Sequence, residues 1–145
     1  MKLMTNRHKL TDIANVERAK KGVTYPRGTI YIQVSATHGQ IKMLKEDGEI
    51  ETKYATIIPK DDIYPKYFKL AIERCVGEFT ARFQSNINIQ MDDFNFFEID
   101  IHDDYETQLE IASLVDAFEE AEEAENELVE QLKDVKKVAL AKFMI

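Results

Sequence analysis

The sequence has a single cysteine, three prolines, five glycines and no tryptophan in 145 residues. Each scarcity removes a class of function. Cys75 cannot close an internal disulfide, so stability must come from an apolar core rather than from covalent staples. Gly22, Gly28, Gly39, Gly48 and Gly77 are spaced neither as a GxGxxG turn nor as a phosphate loop ending in Gly-Lys. That argues against nucleotide hydrolysis and Rossmann-type cofactor binding, and no cofactor is expected. No apolar run approaches the roughly 20 residues a membrane helix needs. Met1 to Leu10 carries Lys2, Arg7 and Lys9 without an apolar stretch behind them, unlike a secretory signal, so a cytoplasmic location is expected.

What is present suits a soluble chain with one core: 44% hydrophobic and 32% charged residues. The length allows one domain, or a small domain with an appended element. The formal net charge of -8 argues at first against a nucleic-acid partner. Its distribution reverses that inference. Residues 1–85 hold 15 Lys and Arg against 10 Asp and Glu, a net of +5, and residues 86–145 hold 4 against 17, a net of -13. A basic body with an acidic tail points to nucleic-acid contact by the body, set against the plainer reading of a solvated basic surface.

Leu10, Ile13 and Val16 recur at helical spacing in residues 8–21, predicting a short helix or turn before Gly22. From Gly28 to Val34, Ile30, Ile32 and Val34 alternate with polar residues and Tyr31, the period of a strand with one buried face. Asp47-Gly48 between Ile41–Leu44 and Ile50–Ile58 predicts a hairpin. Pro65 is placed to open a helix whose stripe is Phe68, Ile72, Cys75, Phe79 and Phe83. Cys75 in that stripe is expected to be a buried, inert thiol. Residues 94–101 alternate again, with Phe97, Ile99 and Ile101 inward and Glu98, Asp100 and His102 outward. The predicted class is α+β: a small mixed β-sheet domain with a helix, residues 1–102, then a long helix, residues 103–145.

That helix starts at Asp103, with Glu106 completing a capping box, and meets no Gly or Pro afterwards. About 40 residues at roughly 1.5 Å each exceed the dimensions of a body of about 100 residues, so a partner is expected to cover it. Ile111, Leu114, Phe118, Ala121, Glu125, Leu128, Leu132, Val135 and Ala139 fall at alternating steps of three and four, a coiled-coil seam broken by Glu125. Residues 104–130 carry eleven acids and no base, and residues 131–145 carry four lysines and one acid, Asp134. Parallel packing of two copies sets acid on acid. Antiparallel packing sets lysines against acids and suits each helix's own dipole, so an antiparallel homodimer is expected. The plainer alternative is a solvated single helix stabilised by its charges.

The layout resembles the DNA specificity subunit of type I restriction-modification systems. The tail is similar to the family's spacer helix in the order of its landmarks: FFEIDI, the bend HDDYETQ ending in Gln108, then IASLVDAFEEAEEAENELVEQLKDVKKVALAKFMI. YPKYFKLAI and QSNINIQMDDF resemble the segments that close a target-recognition domain, and KLTDIANVERAKKG resembles the segment that opens one, with Thr11 where Gly is commoner. The resemblance covers nearly the whole chain. Members usually carry two recognition domains and two spacers, whereas this sequence has one of each, and the prolines common before the spacer's Gln are absent. The resemblance implies a non-catalytic, half-size subunit that binds double-stranded DNA. Its spacer would hold the adenine methyltransferase subunit and, through it, the restriction subunit. A two-fold dimer would read a gapped inverted repeat. The alternative is a stand-alone interaction protein that competes for or redirects such subunits.

Arg18, Lys20, Lys21 and Arg27 are the candidates for phosphate contacts, which position without reading sequence. Gln33, Ser35, Thr37, His38 and Gln40, on or beside one strand, are the candidates for base edges. Glu98, Asp100 and His102 followed by Asp103 and Asp104 offer a hard-metal alternative, but a strand face beside a helix cap explains them more simply, and no metal site is expected. Ser35 and His38 lack an orienting third group, so hydrolase chemistry is not supported and no catalytic residue is expected.

Overall fold

The computed structural model describes residues 4–35, 40–60, 62–83 and 88–143. The elements are β1 (Asn6–Lys9), α1 (Leu10–Ile13), β2 (Ala14–Arg18), β3 (Ile30–Gln33), β4 (Ile41–Met43), β5 (Tyr54–Pro59), α2 (Pro65–Phe83), a 3-10 turn (Met91–Phe96), β6 (Glu98–Ile101) and α3 (Tyr105–Phe143). The α+β class is as expected. The strands form two sheets rather than one, a β1–β6 pair and a four-stranded sheet ordered β2-β5-β3-β4, and every pairing is antiparallel. Two compact units result, Met1–Glu110 and Ile111–Ile145.

The alternation in β3 behaves as its sequence predicts: Ile30, Ile32 and Val34 are buried while Tyr31 and Gln33 are half-exposed. Central β5 buries four consecutive residues, Tyr54 to Ile57, because both its faces are covered. Ala55 and Ile57 lie in register with Ile32 and Ile30, and Tyr54 joins Ala19, Tyr25 and Ile50 in a second, smaller cluster. Pro65 opens α2 as expected, and Phe68, Ile72 and Phe79 are buried. Cys75 is only half-buried, because Val76 takes the inward position.

Three expectations fail for identifiable reasons. Leu10, Ile13 and Val16 do not share a helix: α1 is a single turn, and residues 14–18 are extended because β2 pairs with β5 along its length. Tertiary pairing there overrides local periodicity. Asp47-Gly48 closes no hairpin, since β3 lies between β4 and β5. Gly48 instead exchanges backbone hydrogen bonds with Tyr25, at 2.7 and 3.0 Å, and the Asp47 carboxylate accepts the Arg27 N–H at 2.7 Å. A glycine is needed at Gly28, whose φ of +89° lets its N–H reach the Leu44 carbonyl at 2.9 Å; an added Cβ would stand 3.2 Å from Pro65 Cβ. Thirdly, the acceptor capping α3 is Asp104, not Asp103: its carboxylate takes the Thr107 N–H at 3.2 Å and hydroxyl at 2.6 Å. Asp103 instead accepts from Asn6 and lies 3.0 Å from His8 Nε2.

The two ends of the first unit are joined by β1 and β6, where Arg7 lies opposite Asp100. Its guanidinium donates to both Asp100 oxygens at 3.0 Å, a bidentate pair, and to Glu98 at 3.5 Å. The hydrogen bonds from Arg7 hold the Asp100 carboxyl below its ordinary 3.8. A carboxylate with a lowered folded pKa contributes stability that is complete above its unfolded value and is lost as pH falls through the folded one. Asp100→Asn is therefore expected to lower the urea midpoint at pH 7 and to lower it by less near pH 3, below the ordinary carboxyl value of 3.8. The step is small because the pair is exposed and screened. Equal differences at both pH values would remove the assignment to Asp100.

Candidate nucleic-acid interface

The register of the four-stranded sheet decides which candidates meet. β2 and β3 both run antiparallel to β5, so the ends of β2 and β3 flank the start of β5. Arg18 therefore comes to Ser35 and Thr52. Its Nε donates to the Thr52 carbonyl at 2.8 Å and its Nη2 to Ser35 Oγ at 3.2 Å. Arginine has five N–H donors, so this anchoring leaves others for an anion. Gln33 Nε2 donates to the Ser35 carbonyl at 2.6 Å, fixing that side chain at the same end. Gln40, exposed, enters β4 from this end, since β4 pairs with β3 from Ile41 opposite Ile32.

Lys20 and Lys21 follow β2 and are exposed; the Lys20 N–H is tied to Tyr25 Oη at 2.9 Å. Lys21 borders a shallow cleft with Gly22, Glu49 and Thr52. Arg27 does not join the group. It precedes β3, whose far end carries Gln33, and sits where Asp47 binds its backbone. Thr37 and His38 lie outside the described residues.

Sequence reasoning passed over Lys42 and Lys53. Lys42 pairs with Tyr31 across β3 and β4, and its Nζ lies 3.4 Å from Tyr54 Oη and 5.6 Å from the ring centroid. Lys53 Nζ is 5.5 Å from the same ring, and Tyr31 meets that ring edge-on at 5.0 Å. Two ammoniums thus lie within 5.6 Å of one aromatic ring, a cation–π cluster beside the β3–β4 pair. The only sequence signal was Lys42 between Ile41 and Met43. Its significance depends on the β3–β4 register, which spacing does not reveal.

The metal alternative does not assemble. Glu98 and Asp100 face Arg7, while His102, expected outside, is buried with its N–H donated to Tyr67 Oη at 2.7 Å and its Nδ1 in hydrogen bond to the same oxygen. Burial raises the Tyr67 hydroxyl above its ordinary range, keeping it a neutral donor. No group of three or more acidic, His or Cys side chains able to hold a metal occurs among the described residues. Ser35 Oγ accepts from Arg18.

Such a surface offers charge and hydrogen bonds to a ligand. The chain is thus an α+β protein, a small sheet domain followed in sequence by one long helix. A model of the type I restriction modification DNA specificity domain matches residues 5–134. The chain belongs to that family. Among solved structures, a type I restriction-modification S subunit from M. genitalium superposes with a TM-score of 0.69 at 16% identity, covering 90% of this chain and 44% of that one. A chain from a structure of the type I R-M system, described as the basis of its complex assembly and conformational transition, gives 0.74 at 13% identity, with 98% and 46% covered. The HsdS subunit from Thermoanaerobacter tengcongensis gives 0.64 at 12%, with 86% and 39% covered. These likenesses establish the fold. The chain spans less than half the length of each. Comparison with curated proteins finds no match.

Proposed function

We propose that the chain is a half-size specificity subunit of a type I restriction-modification complex. Residues 1–102 read double-stranded DNA, and residues 103–145 pair with a second copy and hold the adenine methyltransferase subunit, through which the restriction subunit joins. The observation that carries this reading is the extent of the family match, residues 5–134, which runs through the sheet domain and most of α3 as one unit. The chain's role is to position and select rather than to catalyse. Arg18, Lys20 and Lys21, with Lys42 and Lys53, meet phosphates, and Gln33, Ser35 and Gln40 reach base edges.

The test is to sequence the methylome of cells carrying this gene with its cognate methyltransferase. Methyladenine in a gapped inverted repeat is expected, and a pattern unchanged by deleting the gene overturns the reading. A second outcome concerns the lysines. Lys20→Ala with Lys21→Ala should weaken binding to all DNA sequences alike and flatten the log–log salt slope by about one per lost contact. Anisotropy titrations at several salt concentrations check this; unchanged affinity removes these lysines from the interface.

A further inference from the structure

From Ala117 to Phe143 every residue of α3 is exposed, including Phe118 at 71%, Leu128 at 56%, Leu132 at 59% and Val135 at 65%. A helix does not keep such a row in water without a partner. The spacing of the row also restricts how a second copy can lie on it. In heptad terms the three-residue steps place Phe118, Glu125, Leu132 and Ala139 at a and Leu114, Ala121, Leu128 and Val135 at d. Antiparallel seams pack a against d. One alignment satisfies this for the eight positions from Leu114 to Ala139: Phe118 on Val135, Leu132 on Ala121, Ala139 on Leu114 and Glu125 on Leu128, each pair occurring twice about the two-fold axis; beyond them the half-buried Ile111 comes level with Lys142 at the seam's ends.

Sliding by one heptad in one direction sets Ala139 on Ala121 and Phe118 on Lys142. Sliding in the other sets Leu132 on Leu114 and Glu125 on Ala121. Only the central alignment puts a large side chain against a small one in its outer layers, which is how facing layers interdigitate. It also brings Lys133 and Lys137 of one helix level with Glu120 and Asp116 of the other. Its centre falls between residues 126 and 127, so the two Glu125 side chains occupy the two middle layers, about 4.5 Å apart along the axis at a rise of roughly 1.5 Å per residue. No Lys or Arg occurs between Asp104 and Lys133 to neutralise them, and the nearest charged neighbours, Glu122 and Glu127, are also acidic.

We propose that α3 accepts a second copy in this single register, and that Glu125 is the residue that sets partner choice, weakening the self-pair and favouring a helix with a base at that layer. This rests on the dimer reading given above. A polar group at one seam position trades stability for register in just this way.

The experiment is sedimentation of the full chain and full-chain variants. Glu125→Gln should tighten the self-dimer about tenfold or more, equivalent to about 1.4 kcal/mol. Glu125→Lys mixed with wild type should form mixed dimers in preference to either self-dimer. Phe118→Lys and Val135→Glu should each be monomeric alone and should dimerise when mixed, because the mixed pair has one Lys–Glu layer and one intact Phe–Val layer. A wild-type dimer whose Phe118 and Val135 variants fail to rescue one another, or whose Glu125 variants leave affinity and partner choice unchanged, overturns the register and spares the dimer. A wild-type chain that stays monomeric at all concentrations overturns both.

Discussion

Replacing Gln108 by methionine, which keeps its length and removes its amide, should destabilise the domain by about 2–4 kcal/mol, since it leaves one buried and one half-buried backbone group unpaired at about 1–3 kcal/mol each. Gln108 is fully buried at the start of α3. Its Oε1 accepts the Tyr64 N–H at 2.9 Å, and its Nε2 donates to the His102 carbonyl at 2.7 Å. One side chain thus ties the residue before α2 to the bend after β6. Against a total of about 5–15 kcal/mol for a typical domain, this loss is large. Urea unfolding checks it through a lower midpoint at unchanged slope. A loss under about 0.5 kcal/mol would mean that water or a backbone shift replaces both bonds, and the knot would not be structural. Tyr67→Phe removes the acceptor of the His102 N–H in the same network, so its effect and that of Gln108→Met should combine non-additively.

A chain ending at Glu110 should remain folded and sediment as a monomer under conditions where the full chain is a dimer. The division between the compact units after Glu110 leaves Gln108 with Tyr64 and His102, so the cut removes the seam and spares the knot. Ending the chain at Asp103 would remove Gln108 as well and mix lost pairing with lost stability. A dimer that survives truncation at Glu110 places the contact on the sheet domain and refutes pairing through α3. Circular dichroism of the shortened chain supplies the control, with its β signal retained.

Which features could be read in advance follows from how local their causes are. The buried face of β3, the helix opened by Pro65, the inward Phe97, Ile99 and Ile101, and the uninterrupted α3 depend on neighbours within a few residues, and all are observed. The short helix or turn read in residues 8–21 is confined to Leu10–Ile13, because a partner about 40 residues away, β5, claims β2. Asp47-Gly48 looked like a hairpin because a dipeptide cannot show that Tyr25 takes Gly48's backbone bonds. His102 followed the outward parity of Glu98 and Asp100, yet the strand ends at Ile101 and the chain turns inward to Tyr67. At the interface, residue types were legible and their assembly was not. Arg18, Gln33 and Ser35 meet, whereas Arg27 is held at the other end of β3. Lys42 and Lys53 become notable only once both are seen to approach the Tyr54 ring.

The β1–β6 pair also governs the order in which the domain can form. Its first strand, Asn6–Lys9, has no strand partner among the described residues other than Glu98–Ile101. A nascent chain therefore carries β1 unpaired until a segment roughly 90 residues later has been made, a delay of roughly 5–20 s at about 5–20 residues per second. During that interval Leu10, whose N–H will bond the Phe97 carbonyl, has no core to enter. Closing so distant a pair is slow in folding as well, because the loop entropy is spent before the contact forms. The domain is thus completed from its last strand back to its first.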